Sequence, residues 1–371
     1  AEGQEPAAPA AEPPPAPSGQ RGWIISPAID LLCVGGLSLL VLLPWVLLRR
    51  RITIGQIALL SVLINMPHFL ASYVLLYRNK EQVLRYKLAS IGVPLALLAY
   101  SVFAVASASH TNVHVANFAA FAGLYLAWHY TGQTWGMIAT FGYLSGRPFD
   151  GLEGQLVRGG LRVLLVWHVC WFLYVGRAPF FPPWLQASID QAYAILSVVA
   201  GASLVLGVVG FVRYARRVGH APPLHVLVPW LALHVWYAYM ALDPHPRALF
   251  WVQLGHALQY LIFPVRVEAN RALDETRGHR VVRSLVFLAL LVLAGLFFTY
   301  GLTAVLSWPA AATWGYRSGE AVPVVAFAFL NVHHYFVDSC IWKLSNPTVR
   351  KQLMAHVAPP TAPAAQAAPA A

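Results

Sequence analysis

From residue 23 to residue 342 this chain is a succession of apolar stretches, and their length limits what it can fold into. Each is near the roughly 20 residues that a helix needs to cross the hydrocarbon core of a bilayer. No water is present there to satisfy backbone N–H and C=O groups, so a spanning segment must be a helix or belong to a closed barrel. Continuous apolar runs of this length specify helices. Ten spans are predicted, over about 23–48, 53–77, 88–107, 113–142, 156–178, 187–212, 222–241, 247–265, 282–303 and 320–342. The expected fold class is an all-α polytopic membrane protein. Composition points the same way: 58% hydrophobic, 11% charged and a mean hydropathy of +0.59 lie outside the range of soluble domains.

Three regions are expected. Residues 1–22, rich in Ala and Pro, cannot bury a core and read as a disordered tail, as do residues 346–371; the bundle occupies 23–345. The first tail lacks the basic stretch and apolar core of a cleavable signal peptide. Cys33, Cys170 and Cys340 form no CxxC and suggest neither a disulfide framework nor a zinc ribbon.

The net charge of +11 is loop charge, which orients membrane proteins, and implies no nucleic-acid partner. Basic residues recur in alternate loops: Arg78 to Lys87, Arg147 to Arg162, Arg213 to Arg217, Arg266 to Arg283, and Lys343 to Lys351. In the ten-span scheme all five regions share one side, assigned as cytoplasmic together with both termini. The expected location is a bacterial inner membrane, with lipids as the surrounding partners. The run Arg49–Arg50–Arg51 breaks the pattern, either as an exception or because the first two spans form a shallow hairpin.

Within this frame the histidines stand out. His68, His256 and His333 each precede a basic residue that marks a helix end (Arg78, Arg266, Lys343) by ten positions. At about 1.5 Å per residue, all three sit roughly 15 Å in from one surface. Ionisable groups at that depth are costly and by default functional. The strongest motif is Asn331-Val-His333-His334-Tyr-Phe-Val-Asp338, in which Asn331, His334 and Asp338 share a helical stripe. Asp338 is placed to ligate a metal or to orient His334 through its second ring nitrogen.

Asn65-Met-Pro-His68, Tyr125-Leu-Ala-Trp-His129 with Gln133, and Gln253-Leu-Gly-His256 with Gln259 supply further donors on single helix faces. Each alone also fits a buried histidine gluing two helices together. Shared depth favours a site whose metal ligands are His68, His129, His256, His333 and His334. Gln133, Gln259, Asn65 and Asn331 are expected as polar groups behind them. Asp30, inside the first span, is a further carboxylate that could serve as ligand, proton relay or arginine partner.

Neutral imidazoles with a carboxylate suit iron, zinc, copper or manganese rather than calcium or magnesium. On the histidines of MPHF, WHYTGQ, GHALQ and NVHHYFVD, the chain loosely resembles integral-membrane, histidine-rich non-haem iron enzymes: fatty-acid desaturases, alkane and sterol hydroxylases, and Brp/Blh-type carotenoid oxygenases. Their HxxxH and HxxHH boxes are absent. The resemblance implies an iron-dependent oxidase, oxygenase or desaturase acting on a lipophilic small molecule, with an electron donor. The alternative is a haem- or metal-bearing electron-transfer or translocation subunit, or a transporter-like membrane partner, with zinc, copper or haem in place of non-haem iron.

Overall fold

A computed structural model describes residues 22–48, 53–177, 181–272, 276–342 and 347–357. The Arg49–Arg51 run, Lys343 and the tails 1–21 and 358–371 lie outside the described residues.

Among the described residues every regular element is helical. In chain order these are α1 (Pro27–Gly36), α2 (Ser38–Leu47), α3 (Gly55–Tyr77), α4 (Leu88–Ser107), α5 (Val113–Leu144), α6 (Gly151–Gly176), α7 (Pro183–Val218), α8 (Leu224–Leu242), α9 (Arg247–Asn270), α10 (Arg277–Trp314), α11 (Tyr316–Ile341) and α12 (Pro347–Met354). A short helix, Lys80–Arg85, links α3 to α4. Eight helices are long and apolar enough to cross a membrane, and the pair α1–α2, bent by 52°, brings the number to nine. The tenth expected span is α5, a helix of 32 residues. It is long enough but falls short in apolarity, because His129, Thr131, Gln133 and Thr134 interrupt its apolar run.

The bend between α1 and α2 lies at Gly35, whose φ of +154° is open to glycine alone. A Cβ there would also stand 2.7 Å from Ala232 Cβ, so glycine lets α1 lie directly against α8.

Four helices share one direction. His68 touches His256, with ring centroids 5.2 Å apart, and Arg78 reaches Glu268 at 2.7 Å further along both helices, so α3 and α9 are parallel. Likewise His68 meets His334, while Leu76 packs with Val337 and Ile341, so α11 runs with α3. In α5, Phe118 and Ala122 pack with Val325 and Ala328 before His129 meets His334, which makes it parallel to α11.

Ion pairs gather the loop charges foreseen from the sequence. Glu268 on α9 accepts from Arg78 of α3 at 2.7 Å and from Arg283 of α10 at 2.9 Å. Glu153 at the start of α6 accepts from Arg217 at the end of α7 at 2.8 Å, and Arg217 also donates to Pro148 O. In each case a buried carboxylate is balanced by guanidinium from another helix, the arrangement a charge needs when it leaves water.

Candidate metal centre

The parallel helices α3, α5, α9 and α11 each contribute one histidine to a single point. His68, His129, His256 and His334 are all buried, and one ring nitrogen from each lies within 4.8 Å of the others. Ring centroids are separated by 4.5 Å for His68–His334, 4.5 Å for His129–His256 and 5.0 Å for His129–His334. A tetrahedral ion with bonds of about 2.1 Å sets its ligand nitrogens about 3.4 Å apart, so the four need only a small inward adjustment to share one.

Local structure sets how these rings point. Before His68 the helix widens into a π turn over Ser61–Asn65, followed by Pro67, which has no N–H to give its preceding turn. In this stretch the Asn65 carbonyl accepts the His68 Nδ1–H at 2.7 Å. A carbonyl can only accept, so the proton is on Nδ1 and the Nε2 lone pair is bare. His334 is fixed in the same way from another helix. Ser72 donates its hydroxyl proton to Phe69 O at 2.7 Å, so its oxygen accepts from His334 Nδ1 at 2.9 Å. Again Nε2 carries the lone pair.

The nitrogens at the centre lack hydrogen-bond partners. Nε2 of His68, His129 and His334 and both ring nitrogens of His256 are buried with none. Leaving one polar group so costs about 1–3 kcal/mol, and buried groups without partners are rare in native proteins. A bound cation is the species that satisfies several imidazole lone pairs at one point. Asp338 completes the donor set, with Oδ2 lying 3.2 Å from His334 Nε2 and 3.7 Å from His129 Nε2. Its Oδ1 accepts from the Tyr260 hydroxyl at 2.9 Å. Among the described residues its ion-pair partners are these histidines alone, so a cation at the centre would also balance its charge.

His333 is a correction to the expected ligand set. It directly precedes His334, and one residue turns a helix by about 100°, so the two rings leave the helix in different directions. His333 Nε2–H donates to Ala89 O at 3.0 Å, and the ring stacks on Tyr73 at 5.0 Å. Asp30 also lies apart. Its carboxylate accepts the backbone N–H groups of Ile24 and Ile25, and that segment is held to α9 by Arg266 donating to Ile24 O. It anchors the entry to α1.

Three of the amides foreseen around the site, Gln133, Gln259 and Asn331, tie segments of the bundle together rather than hydrogen-bonding to the imidazoles. Gln133 donates to His256 O at 3.1 Å, joining α5 to α9. Gln259 donates to Val34 O at 2.7 Å, joining α9 to the bend at Gly35. Asn331 Oδ1 accepts from Tyr335 at 3.0 Å and from Gln253 at 3.4 Å. Asn65 is buried with both side-chain polar atoms unpartnered.

Two contributors were missed at the sequence level, Ser72 and Tyr260, although a signal for them is present. Every clustered histidine is followed four residues later by a hydrogen-bonding side chain: Ser72, Gln133, Tyr260 and Asp338. Residues four apart share a helix face, and because the helices are parallel these four groups form a polar tier on one side of the histidine layer. Aromatic rings close the surroundings: Tyr130 lies 4.7 Å from His256 and Tyr335 lies 4.5 Å from His129.

The site is a buried four-histidine group, compatible with a metal ion, inside an all-helical protein of membrane-spanning character. Comparison with protein-family models, curated proteins and solved structures gave no match.

Proposed function

We propose that the four-histidine group with Asp338 holds a non-haem iron ion, and that the protein is a membrane oxidoreductase activating O₂ to oxidise a lipophilic substrate drawn from the bilayer. The observation that carries this reading is the meeting of four buried imidazoles, their facing nitrogens unpartnered, with one carboxylate. Imidazole and carboxylate together favour a first-row transition metal, and no cysteine belongs to the group. Haem fits poorly. An axial histidine pair must leave the plane between its nitrogens to the macrocycle, and here two further imidazoles crowd that space.

Substrate and oxidant both suit the location. Oxygen and lipophilic molecules concentrate in hydrocarbon, and a layer of histidines inside helices long enough to span a membrane can be reached from it. An electron donor outside this chain supplies the electrons that reduction of O₂ requires beyond those from the substrate. The basic ends joined by Glu268 orient the polar tier toward the cytoplasmic leaflet of a bacterial inner membrane, following the positive-inside rule.

Elemental analysis and an optical spectrum of the detergent-purified protein test the reading. Iron bound without a Soret band is the expected result. A metal-free protein, or a Soret band, removes it. Incubation with O₂, a reductant and a membrane lipid extract, followed by mass spectrometry, then seeks a product that differs by an oxygen atom or by two hydrogens.

A further inference from the structure

Beside His256, between α2, α5, α8 and α9, lies a small cavity of ≈ 20 Å³. Its lining includes Ser38, Tyr130, Ala232, Trp236 and His256. A water molecule needs about 10–15 Å³ measured in this way, so the space fits one small molecule. Empty cavities in proteins are apolar, whereas the lining here, apolar over most of its surface, also carries several polar side chains.

Three of its lining residues carry buried polar atoms without partners: the Tyr130 hydroxyl, the Trp236 indole N–H and the His256 ring nitrogens. Ser38 also lines the space, with its own proton committed to Gly35 O at 2.8 Å. An indole N–H can only donate, a tyrosine hydroxyl donates readily, and a neutral imidazole has one N–H. Ser38, Thr134 and Gln259 bring oxygens to the lining, but the Tyr130 hydroxyl and the Trp236 N–H are donors without partners, and what these two lack is an acceptor. His256 belongs at the same time to the four-histidine group, which puts the cavity next to the centre.

We propose that this cavity binds one water-sized acceptor, held by Tyr130 and Trp236, as the exchangeable ligand of the ion in the four-histidine group. The proposal rests on the metal reading for the ion but on the cavity and its unpartnered donors for the ligand. It assigns Tyr130 and Trp236 as binding residues for the ligand, distinct from the residues that hold the ion.

The test uses the full chain in detergent, metal-free and loaded with Co(II), with a structure at a resolution that shows single waters. One oxygen atom is expected within hydrogen-bond distance of Tyr130 Oη and Trp236 Nε1 in both forms, and bonded to cobalt in the loaded form. The double variant Tyr130→Phe, Trp236→Phe is expected to lose that atom while taking up as much cobalt as the wild type. An empty cavity in both wild-type forms overturns the proposal whatever the metal content, and so does an oxygen atom that stays out of bonding distance of bound cobalt. Wild-type protein that takes up no cobalt removes the metal reading and the assignment of an exchangeable ligand with it. An oxygen atom in the cavity then retains only the binding site.

Discussion

Ser72 and His334, 262 residues apart in the chain, meet with the serine oxygen 2.9 Å from the imidazole Nδ1. Because the serine proton is committed to Phe69 O, this contact dictates which nitrogen of His334 carries a hydrogen. Groups that hold a metal-ligating histidine through its far nitrogen fix both tautomer and ring angle, and their loss typically costs 10–100-fold in affinity. Replacing Ser72 by Ala is expected to weaken metal binding by about that factor, read from a chelator-buffered Co(II) titration. Ser72→Thr, which keeps the oxygen, should recover most of the affinity. An unchanged affinity in Ser72→Ala would mean that His334 is oriented by something else.

The two adjacent histidines of α11 should separate cleanly. His334→Ala removes a central imidazole, and bound metal should fall to background by elemental analysis while the helical circular dichroism persists. His333→Ala should keep wild-type metal content, since His333 Nε2–H serves Ala89 O. Its cost is one hydrogen bond and a stacked ring, about 1–3 kcal/mol of stability. Loss of metal in His333→Ala alone would reverse the assignment.

Glu268 is expected to be a sensitive charge in the bundle. It is 9% exposed and faces Arg78 and Arg283, which are 32% and 35% exposed. Glu268→Gln removes the carboxylate charge that both guanidinium groups face. Breaking a buried pair costs about 3–5 kcal/mol, and the partial exposure of the arginines puts this case near the lower limit. A thermal melt in detergent should show a clear drop in the midpoint. A melt within error of the wild type would mean that water already screens this cluster.

Acid should loosen the C-terminal segment before the rest. His356 lies beyond the spanning helices and donates from Nε2 to Trp23 O at 3.0 Å. Burial, and then the Arg266 charge, hold its pKa below the usual 6.5. With the folded value depressed, the unfolded segment takes up a proton first. The stabilisation is therefore complete above about pH 6.5 and is lost as pH falls through the folded value. Limited proteolysis near residue 357 should accelerate between neutral and mildly acidic pH, and His356→Gln should flatten that dependence. A cleavage rate independent of pH in the wild type would show that this contact does not hold the segment.

Much of the architecture could be read from apolar length alone, since a run like that of α10 has no other stable conformation in lipid. Depth was legible too: counting from Arg78 and Arg266 placed His68 and His256 in one layer. Direction around the helix was not. His333 shares the depth of His334 but points elsewhere, because azimuth depends on which helices pack alongside, and that is set by contacts distant in sequence. For the same reason Asp30 read as a site carboxylate, whereas the backbone turn over Ile24 and Ile25 surrounds it. The bend at Gly35 was likewise hidden, since a glycine among apolar residues gives no sign of how closely α8 approaches.

The distribution of the four histidines over α3, α5, α9 and α11 also has a bearing on biogenesis. Helices enter a membrane in chain order, and the last imidazole arrives only with α11, close to the C-terminal end of the bundle. Until then the earlier histidines reside in lipid or against the insertion machinery with an incomplete donor set. The four-histidine group is therefore complete only once α11 is in place. The proposed ion would meet its full donor set only after the polypeptide is finished, so metal occupancy would report completed assembly.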